Sequence, residues 1–370
     1  MGAVLVISFT TPETFVGKIL SSKLFTGIGL ISYSAYLWHQ PFYAFAKQII
    51  SGPASNLLLI ILFAATFICA YFTWKYVEMP CRNKEIIKSK KVFICAASLS
   101  IFFITLGFAG YFSDGFKGRF TDEEKRILAY SDQDFSENLR IKTCLLEPEN
   151  TQLDFKKECQ SEGKKNRILI WGDSHAAALF QGFKAYHKNI IQYTASSCPP
   201  AIKTKFISRP NCRGINDFVA EEVSRLKPEQ IFLHANWHAY KITETNLGLI
   251  KTIESIKKSS PNSRIIILGS APQWEPSLPI YMIRQKAFLD EEKYLTMPSF
   301  ERLLKVDTEL KNLAQANGVE FISIIENMCL ENKCLAVINY DRKFELTSWD
   351  DGHLTQAGAK FLVKKLLHHS

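Results

Sequence analysis

Three long runs without any Asp, Glu, Lys or Arg lie in the first third of the 370-residue chain. They cover residues 24–46, 48–74 and 92–113. A helix needs about 20 mostly apolar residues to cross the hydrocarbon core of a bilayer, and each run is long enough to do so. Buried core helices are the alternative, which three such runs in one third of the chain disfavour. The sequence therefore predicts about three membrane spans, near 26–46, 54–76 and 92–113.

The basic residues around these runs predict an orientation. Between the second and third runs lie Arg82, Lys84, Lys88, Lys90 and Lys91. Only Lys47 lies between the first two runs. Because Lys and Arg are enriched in cytoplasmic loops, we expect the loop before the third span to face the cytoplasm. Everything after about residue 114 then lies outside the cytoplasm.

The cysteines give an independent indication of compartment. Six of the nine follow residue 114, and in sequence order they form three neighbouring pairs: Cys144 and Cys159, Cys198 and Cys212, Cys329 and Cys334. An even number of cysteines in a segment placed outside the cytoplasm favours disulfides. Six cysteines allow many connectivities, so sequence alone does not settle the pairing, although we favour the sequential one. Zinc binding is the rival interpretation, which the absence of Cys-x-x-Cys and the irregular spacings disfavour.

The formal net charge of +9 raises the possibility of nucleic-acid binding. Part of this charge is the basic cluster at the predicted membrane boundary. The remaining basic residues are scattered and form no stripe interleaved with aromatic residues. We therefore expect a membrane bilayer as a partner and no nucleic acid.

From residue 167 onward, apolar runs alternate with helical patterns. The predicted strands are 167–171, 189–194, 230–235, 264–269 and 319–325. The predicted helices are 175–187, 215–226, 245–259, 299–317 and 355–368. This alternation is typical of a parallel sheet covered by helices on both faces, with ligands bound outside the carboxyl ends of the strands. The segment 273–298 interrupts the alternation. We favour a surface excursion over a lid as the interpretation of this segment.

The apolar run 168–171 ends at Gly-Asp-Ser, of which Ser174 is the last residue. A buried strand ending there places Ser174 at the rim of the sheet. Near the C-terminus, Asp350 and His353 lie three residues apart. A serine hydroxyl becomes nucleophilic when an imidazole removes its proton and a carboxylate fixes the tautomer of that imidazole. These segments predict a catalytic triad for acyl chemistry. The alternatives are a helix N-cap for Ser174 and a surface-loop role for His353.

Gly172-Asp173-Ser174 and the late Asp-x-x-His resemble the first and last blocks of the SGNH hydrolase superfamily, also called GDSL-type esterases. The resemblance implies an α/β domain with a parallel, flavodoxin-like sheet, a triad of Ser174, His353 and Asp350, and no metal. It also implies an oxyanion hole formed by the Ser174 backbone N–H, the Asn236 side chain and a second-block N–H. In that family the second block supplies the backbone N–H of a glycine. This chain has no glycine at the matching position, so we predict that the backbone N–H of Ser197 takes its place. A turn residue is the alternative for Asn236.

The membrane region carries a second resemblance. The segment 29–41 is similar to a signature near the end of acyltransferase-3 membrane domains, and the segment 76–82 is similar to the E-x-P-x-R ending of their last helix. Fusion of such a domain to an SGNH domain implies a bacterial inner-membrane protein, multi-pass, with its C-terminal domain in the periplasm. The membrane domain of that family is longer, and its catalytic histidine lies in early spans. His39 belongs to the late motif, and its role stays open between a functional residue and an interfacial one.

The expected organisation has three parts. Residues 1–113 form a truncated membrane region of the acyltransferase-3 kind, residues 114–165 form a polar linker and entry segment, and residues 166–370 form the SGNH domain. The resemblance implies an O-acyltransferase, with acetyl as the expected group and a surface polysaccharide such as O-antigen or peptidoglycan as the acceptor. An envelope-glycan esterase is the first alternative, and a non-catalytic glycan-binding remnant is the second.

The same resemblance implies the other participants in the reaction. No bound cofactor is expected. The acyl donor is expected to derive ultimately from acetyl-CoA or a similar acyl carrier. A separate membrane protein that translocates the acyl group is a further expected partner.

Overall fold

The computed structural model describes residue 11 and residues 13–50, 54–83, 89–240 and 242–368. The chain divides into two compact units, Met1–Arg119 and Phe120–Ser370. Two residues of the predicted cytoplasmic loop, Lys84 and Lys88, lie outside the described residues.

The first unit is helical. Its α-helices are α1 (Phe15–Leu20), α2 (Lys23–Ile49), α3 (Asn56–Thr73), α4 (Met79–Arg82) and α5 (Ser89–Phe112), with a π-helical segment at Trp74–Glu78 between α3 and α4. Among the described residues, two stretches are long and apolar enough to cross a membrane, Asn56–Arg82 and Lys90–Phe112. The predicted first span is also a continuous helix, α2, but polar side chains such as Ser34 and His39 make it less apolar. A count of three spans stays a prediction.

The two membrane-region motifs contact each other. The Ser34 hydroxyl donates to the Glu78 carboxylate at 3.0 Å, and Glu78 also forms an ion pair with Arg82 at 3.0 Å. The indole N–H of Trp38 donates to the Thr73 hydroxyl at 2.8 Å. In an apolar environment a polar group is costly unless it is hydrogen-bonded, so these contacts hold α2 against the α3–α4 segment.

The second unit is built on a six-stranded parallel sheet in the order β1-β3-β2-β4-β5-β7. Its strands are β1 (Leu145–Leu146), β2 (Ile168–Gly172), β3 (Ile190–Ala195), β4 (Gln230–His234), β5 (Arg264–Leu268) and β7 (Glu320–Ile322). Without the short edge strand β1, the order of the five longer strands is that of the flavodoxin-like fold, which the resemblance to SGNH hydrolases implies. The strand β1 comes from the segment predicted as a linker, and it pairs with the outer edge of β3.

Helices cover both faces of this sheet. The α-helices of the second unit are α6 (Asp122–Leu128), α7 (Ser136–Leu139), α8 (Ser174–Ala178), α9 (Phe180–Lys184), α10 (Cys212–Leu226), α11 (Ile242–Ser259), α12 (Leu278–Arg284), α13 (Phe300–Ala316), α14 (Ile324–Met328) and α15 (Gln356–His368). Successive strand residues point to opposite faces, so Leu169 packs in the core with α10, α11 and α13, whereas Ile170 packs in the core with α8, α9 and α15.

A second, antiparallel sheet lies in the same unit. Its strands are β6 (Lys293–Thr296), β8 (Cys329–Leu330), β9 (Lys333–Tyr340) and β10 (Lys343–Leu346), with β9 paired to the other three. The alternation of apolar runs did not predict this sheet. The predicted strand 319–325 is shorter than expected, because its last residues begin α14.

The first part of the segment 273–298 belongs to the core, so the prediction of a surface excursion was wrong for that part. Trp274 is fully buried and packs in a core cluster with Leu278, Tyr281 and Met282. Its backbone N–H donates to the Asp351 carbonyl at 2.7 Å, and the N–H of Leu278 donates to the Asp350 carbonyl at 3.0 Å. The segment therefore supports the loop that carries the predicted triad members, since both hydrogen bonds hold that loop's backbone.

Candidate active site

Ser174 is placed at the carboxyl end of β2, where helix α8 begins. Gly172 is the last residue of the strand, and this position needs glycine because a Cβ there would overlap the carbonyl oxygen of His234 on the neighbouring strand. Asp173 caps the helix by accepting the backbone N–H of His175 at 2.9 Å. The sequence Gly-Asp-Ser therefore produces a close strand–helix turn that presents a half-buried serine at the rim of the sheet.

The three residues predicted as a triad form one hydrogen-bonded chain. The Ser174 Oγ lies 2.8 Å from Nε2 of His353. The Nδ1 of His353 lies 2.6 Å from Oδ2 of Asp350. The other carboxylate oxygen of Asp350 accepts the backbone N–H groups of Gly352 at 2.9 Å and His353 at 2.7 Å. Asp350 can only accept in its ionised form, so it fixes the tautomer with the proton on Nδ1 and leaves Nε2 free to take the serine proton.

Electrostatics keep this chain in the required protonation states. Burial tends to lower the pKa of His353, but the hydrogen bond and charge of Asp350 outweigh burial, and the net pKa is raised above its ordinary value. Burial tends to raise the pKa of Asp350, but its bonds to His353 and Gly352 outweigh burial and lower it. Asp350 is therefore a carboxylate near neutral pH, and it stabilises the imidazolium that forms when His353 accepts a proton.

Asp173 connects the serine turn to the loop after β4. Its Oδ2 accepts the backbone N–H of Asn236 at 2.9 Å and the hydroxyl of Tyr240 at 2.6 Å. Burial and the Asp173 carboxylate raise the pKa of Tyr240, so the phenol keeps its proton. Asp173 is itself buried, and its hydrogen bonds satisfy a charge that would otherwise be costly there. The sequence patterns did not single out Tyr240, since nothing in its spacing marks it as a partner of Asp173.

Four rings form a stack that includes the candidate base. The Trp349 ring lies between Phe135 at 4.0 Å and His353 at 5.3 Å, with interplanar angles of 14° and 11°. His353 also lies 4.2 Å from His175, with an interplanar angle of 27°. These near-parallel ring contacts restrict the rotation of the His353 ring about χ2. Phe135 comes from the predicted linker segment, and its contact with Trp349 could not be read from the sequence.

The predicted oxyanion residues lie at the same rim. Asn236 follows β4, and its buried Oδ1 has no hydrogen-bond partner among the residues that the structure describes. Ser197 is exposed and lies in the turn after β3, three residues beyond Thr194, which pairs with Gly172. Ser197 has a φ of +54°, so its backbone is in the left-handed region. The roles of Asn236, Ser197 and the Ser174 N–H in an oxyanion hole stay predictions.

All six cysteines of the second unit form disulfides. The pairs are Cys144–Cys159, Cys198–Cys212 and Cys329–Cys334. This is the sequential pairing that the sequence favours, and it leaves no free thiol for the zinc interpretation in this unit. The first two disulfides hold the segments next to β1 and β3, at the edge of the sheet that borders the site.

Asp350, Asp351 and His353 place three potential ligand atoms within 4.8 Å of one another, which raises the question of a metal. A metal at His353 would need a free ring nitrogen, but Nδ1 is committed to Asp350 and Nε2 to Ser174. Both oxygens of Asp350 are likewise occupied by N–H donors. The hydrogen bonds fit a triad better than a metal site.

The family model for SGNH domains fused to AT3 domains matches residues 143–367, more than half of the chain. The chain belongs to this family. The match contains all three residues predicted as a triad and all five of the longer strands of the parallel sheet.

Two O-acetyltransferases match shorter parts of the chain than the family model does. The peptidoglycan O-acetyltransferase OatA of Listeria monocytogenes is 32% identical over 94 residues, which are 25% of this chain and 15% of the relative. The O-acetyltransferase OatA of Staphylococcus aureus is 32% identical over 93 residues, 22% of this chain and 15% of the relative. The matched part of the chain thus spans only a small share of the length of these relatives.

A solved structure matches over a larger area. The periplasmic domain of the lipopolysaccharide acetyltransferase of Salmonella ser. Paratyphi A superimposes with a TM-score of 0.53 and 27% sequence identity. The superposition covers 68% of this chain and 98% of that domain. The second unit therefore has the fold of that domain along nearly its whole length.

Proposed function

We propose that this chain is an O-acyltransferase that places acetyl groups on an envelope polysaccharide. The observation that carries the proposal is the hydrogen-bonded chain from Ser174 Oγ through His353 to Asp350, with distances of 2.8 Å and 2.6 Å. Membership of a family of SGNH domains fused to AT3 domains supports it, as do relatives named as O-acetyltransferases of peptidoglycan and lipopolysaccharide. The geometry supports acyl chemistry at Ser174, and the relatives support an envelope polysaccharide as the acceptor.

In the first half of the proposed reaction, Nε2 of His353 takes the proton of Ser174 as Oγ attacks the acyl carbonyl carbon. The carbonyl oxygen becomes an oxyanion. It accepts hydrogen bonds from the backbone N–H groups of Ser174 and Ser197 and from the side-chain amide of Asn236. One such donor typically contributes about 3–4 kcal/mol to lowering the barrier. Collapse breaks the bond to the leaving group of the donor, which receives the proton from His353. The product is an acetyl ester on Ser174.

In the second half, a hydroxyl of the acceptor glycan gives its proton to His353 and attacks the acetyl-serine. The ester bond to Ser174 breaks, and the serine oxygen recovers the proton from His353. The glycan leaves as an acetyl ester, and the triad returns to its starting state. Water in place of the glycan hydroxyl gives hydrolysis, which is the reaction of an esterase.

We also propose a membrane location with the second unit on the periplasmic side of a bacterial inner membrane. The two long apolar helices and the basic residues Arg82, Lys90 and Lys91 support this orientation. Disulfides in the second unit fit an oxidising compartment. The acyl group would then cross the membrane with the help of a separate protein, since the donor is expected to derive from acetyl-CoA.

The test is a product analysis with the full chain in detergent, an acetyl donor such as p-nitrophenyl acetate, and purified envelope glycans. If the protein transfers acetyl groups, mass spectrometry will detect O-acetylated glycan. Mild base will then remove the acetyl group, because base hydrolyses an ester. Release of free acetate alone, in the presence of every acceptor, supports the esterase instead. Ser174→Ala is the matched control, because it removes only the hydroxyl and should give neither product.

A further inference from the structure

A cavity of about 680 Å³ opens beside the candidate active site. The segment 203–208, the end of the loop after β4 and the first turns of α11 line it. Its volume lies within the range of about 300–1,000 Å³ that is usual for small-ligand sites. Tyr240 both lines the cavity and donates its hydroxyl to Asp173, the residue before Ser174. One side chain thus separates the cavity from the turn that carries the nucleophile.

The charge of the cavity is positive. Lys203, Lys205 and Lys251 line it, and its described lining includes one acidic residue, Glu244. Among the residues that the structure describes, none of the three lysine ammonium groups lies in an ion pair. Three like charges around one cavity repel one another, so an anionic ligand that pairs with them is favoured.

Two aromatic rings add a surface for a sugar. Phe206 and Tyr240 line the cavity with their ring centroids 6.0 Å apart. Aromatic faces pack against the apolar C–H faces of sugar rings, and they contribute contact area at a small cost in side-chain entropy. Beside them, the side chain of Ile207 is 97% exposed, so packing within the domain does not account for its position.

The loop that carries these residues is firmly held at its base. The disulfide Cys198–Cys212 closes it. The Thr252 hydroxyl donates to the Pro200 carbonyl at 3.0 Å and accepts the Ile202 N–H at 3.0 Å. At the far end, the buried guanidinium of Arg209 donates to the backbone carbonyls of Glu147 and Pro148. A loop anchored at both ends presents its basic and aromatic side chains with less loss of entropy on binding.

From these observations we infer that the cavity binds a carboxylate-bearing saccharide, and that the acceptor glycan of the proposed transferase is acidic. The lysines pair with the carboxylates, and the rings of Phe206 and Tyr240 pack against the sugar faces. The bound saccharide then runs past Tyr240 toward Ser174, where a neighbouring hydroxyl receives the acyl group. This inference rests on the proposed function for the role of the ligand as acceptor, but not for its binding.

The experiment compares trigalacturonate with its fully methyl-esterified form, which keeps the sugar rings and hydroxyls but replaces each carboxylate with an uncharged methyl ester. Binding to the full chain in detergent is measured by saturation-transfer NMR titration. Three exposed lysine–carboxylate pairs of ordinary strength predict that trigalacturonate binds about tenfold more tightly than the ester. The preference should decrease as the salt concentration rises, because exposed charges are screened.

The decisive variant is Lys203→Gln/Lys205→Gln/Lys251→Gln, which should remove the preference. Its matched control is Lys305→Gln/Lys311→Gln/Lys364→Gln, which changes the net charge equally at exposed positions outside the cavity and should keep the preference. An unchanged thermal unfolding midpoint shows that the first variant is folded. If it unfolds, the single substitution Lys205→Gln replaces it and should lower the preference about twofold.

Three results would overturn the inference: equal affinity of the native chain for the two saccharides, a preference that survives the triple substitution, or no binding of trigalacturonate. The rate at which the same protein sample hydrolyses p-nitrophenyl acetate measures the activity of the proposed triad separately. An active protein without charge preference overturns only the inference that the cavity binds an acidic saccharide, whereas an inactive protein with the preference overturns only the proposed catalysis.

Discussion

The imidazole rings of His175 and His353 lie face to face, with their centroids 4.2 Å apart and their planes 27° apart. His175 is buried, and burial, together with the neighbouring His353, lowers its pKa well below the ordinary histidine value. The pKa of His353 is raised instead. The two rings therefore differ in charge when the base is protonated, and the neutral His175 ring supports the imidazolium without repelling it.

Replacing His175 tests whether this stacking positions the base. His175→Ala removes one face of the stack, and a stacked aromatic pair contributes about 0.5–1.5 kcal/mol. We expect kcat for p-nitrophenyl acetate hydrolysis to fall about threefold to tenfold with little change in KM. His175→Phe keeps a ring and should restore most of the loss. Equal kcat values for the alanine and native proteins would show that the stack does not position His353.

Replacing Asp350 tests the electrostatics of the base. His353 acts as a base only when neutral, so activity is lost as pH falls through its pKa, which Asp350 raises. Asp350→Asn should therefore move the midpoint of the pH–kcat profile to lower pH and reduce its plateau by about 10²- to 10⁴-fold.

The neighbouring carboxylate provides the control for that measurement. Asp351 is exposed, and its carboxylate contributes less than that of Asp350 to the raised pKa of His353. Asp351→Asn should shift the midpoint only slightly and leave the plateau nearly intact. Identical midpoints for Asp350→Asn and the native chain would remove Asp350 from its assigned role.

Tyr240→Phe removes the hydroxyl that donates to Asp173 at 2.6 Å. A lost hydrogen bond to a buried carboxylate costs about 1.5–3 kcal/mol, so the free energy of unfolding in urea should fall by that amount. Tyr186→Phe is the control, because Tyr186 is 45% exposed and should change stability by less than about 0.5 kcal/mol. If both variants are as stable as the native chain, the hydrogen bond to Asp173 does not hold the loop after β4.

Trp274→Ala tests the support under the triad loop. The side chain is fully buried, and its removal should lower the free energy of unfolding by about 3–5 kcal/mol. Phe288→Ala, at a 39% exposed position in the same segment, should cost much less. Urea unfolding followed by fluorescence measures both. Similar losses for the two variants would contradict the finding that Trp274 belongs to the core.

The parallel sheet and the meeting of the triad residues were predictable from sequence because both depend on strong local signals. Buried parallel strands are continuous apolar runs, and the Gly-Asp-Ser turn marks where β2 ends. Strand ends meet at one rim, so Ser174 and the loop with His353 could be placed together before any coordinates were known.

The features missed from sequence depend on contacts between distant segments. Trp274 lies in a stretch rich in proline, which predicts an irregular segment and gives no sign that tertiary packing buries it. Tyr240 and Phe135 are ordinary aromatic residues until the fold brings them to Asp173 and Trp349. The antiparallel sheet around β9 has short strands whose periodicity is too brief to distinguish from loops.

Trapping the acyl-enzyme tests directly whether Ser174 is the nucleophile. The full chain is mixed with excess p-nitrophenyl acetate, quenched in acid within the first turnovers, and mapped by peptide mass spectrometry. We expect one acetyl group on Ser174 in the native chain and none on the corresponding peptide of Ser174→Ala. An acetyl group on a different residue, or undiminished turnover by Ser174→Ala, would contradict the assignment of Ser174 as the nucleophile.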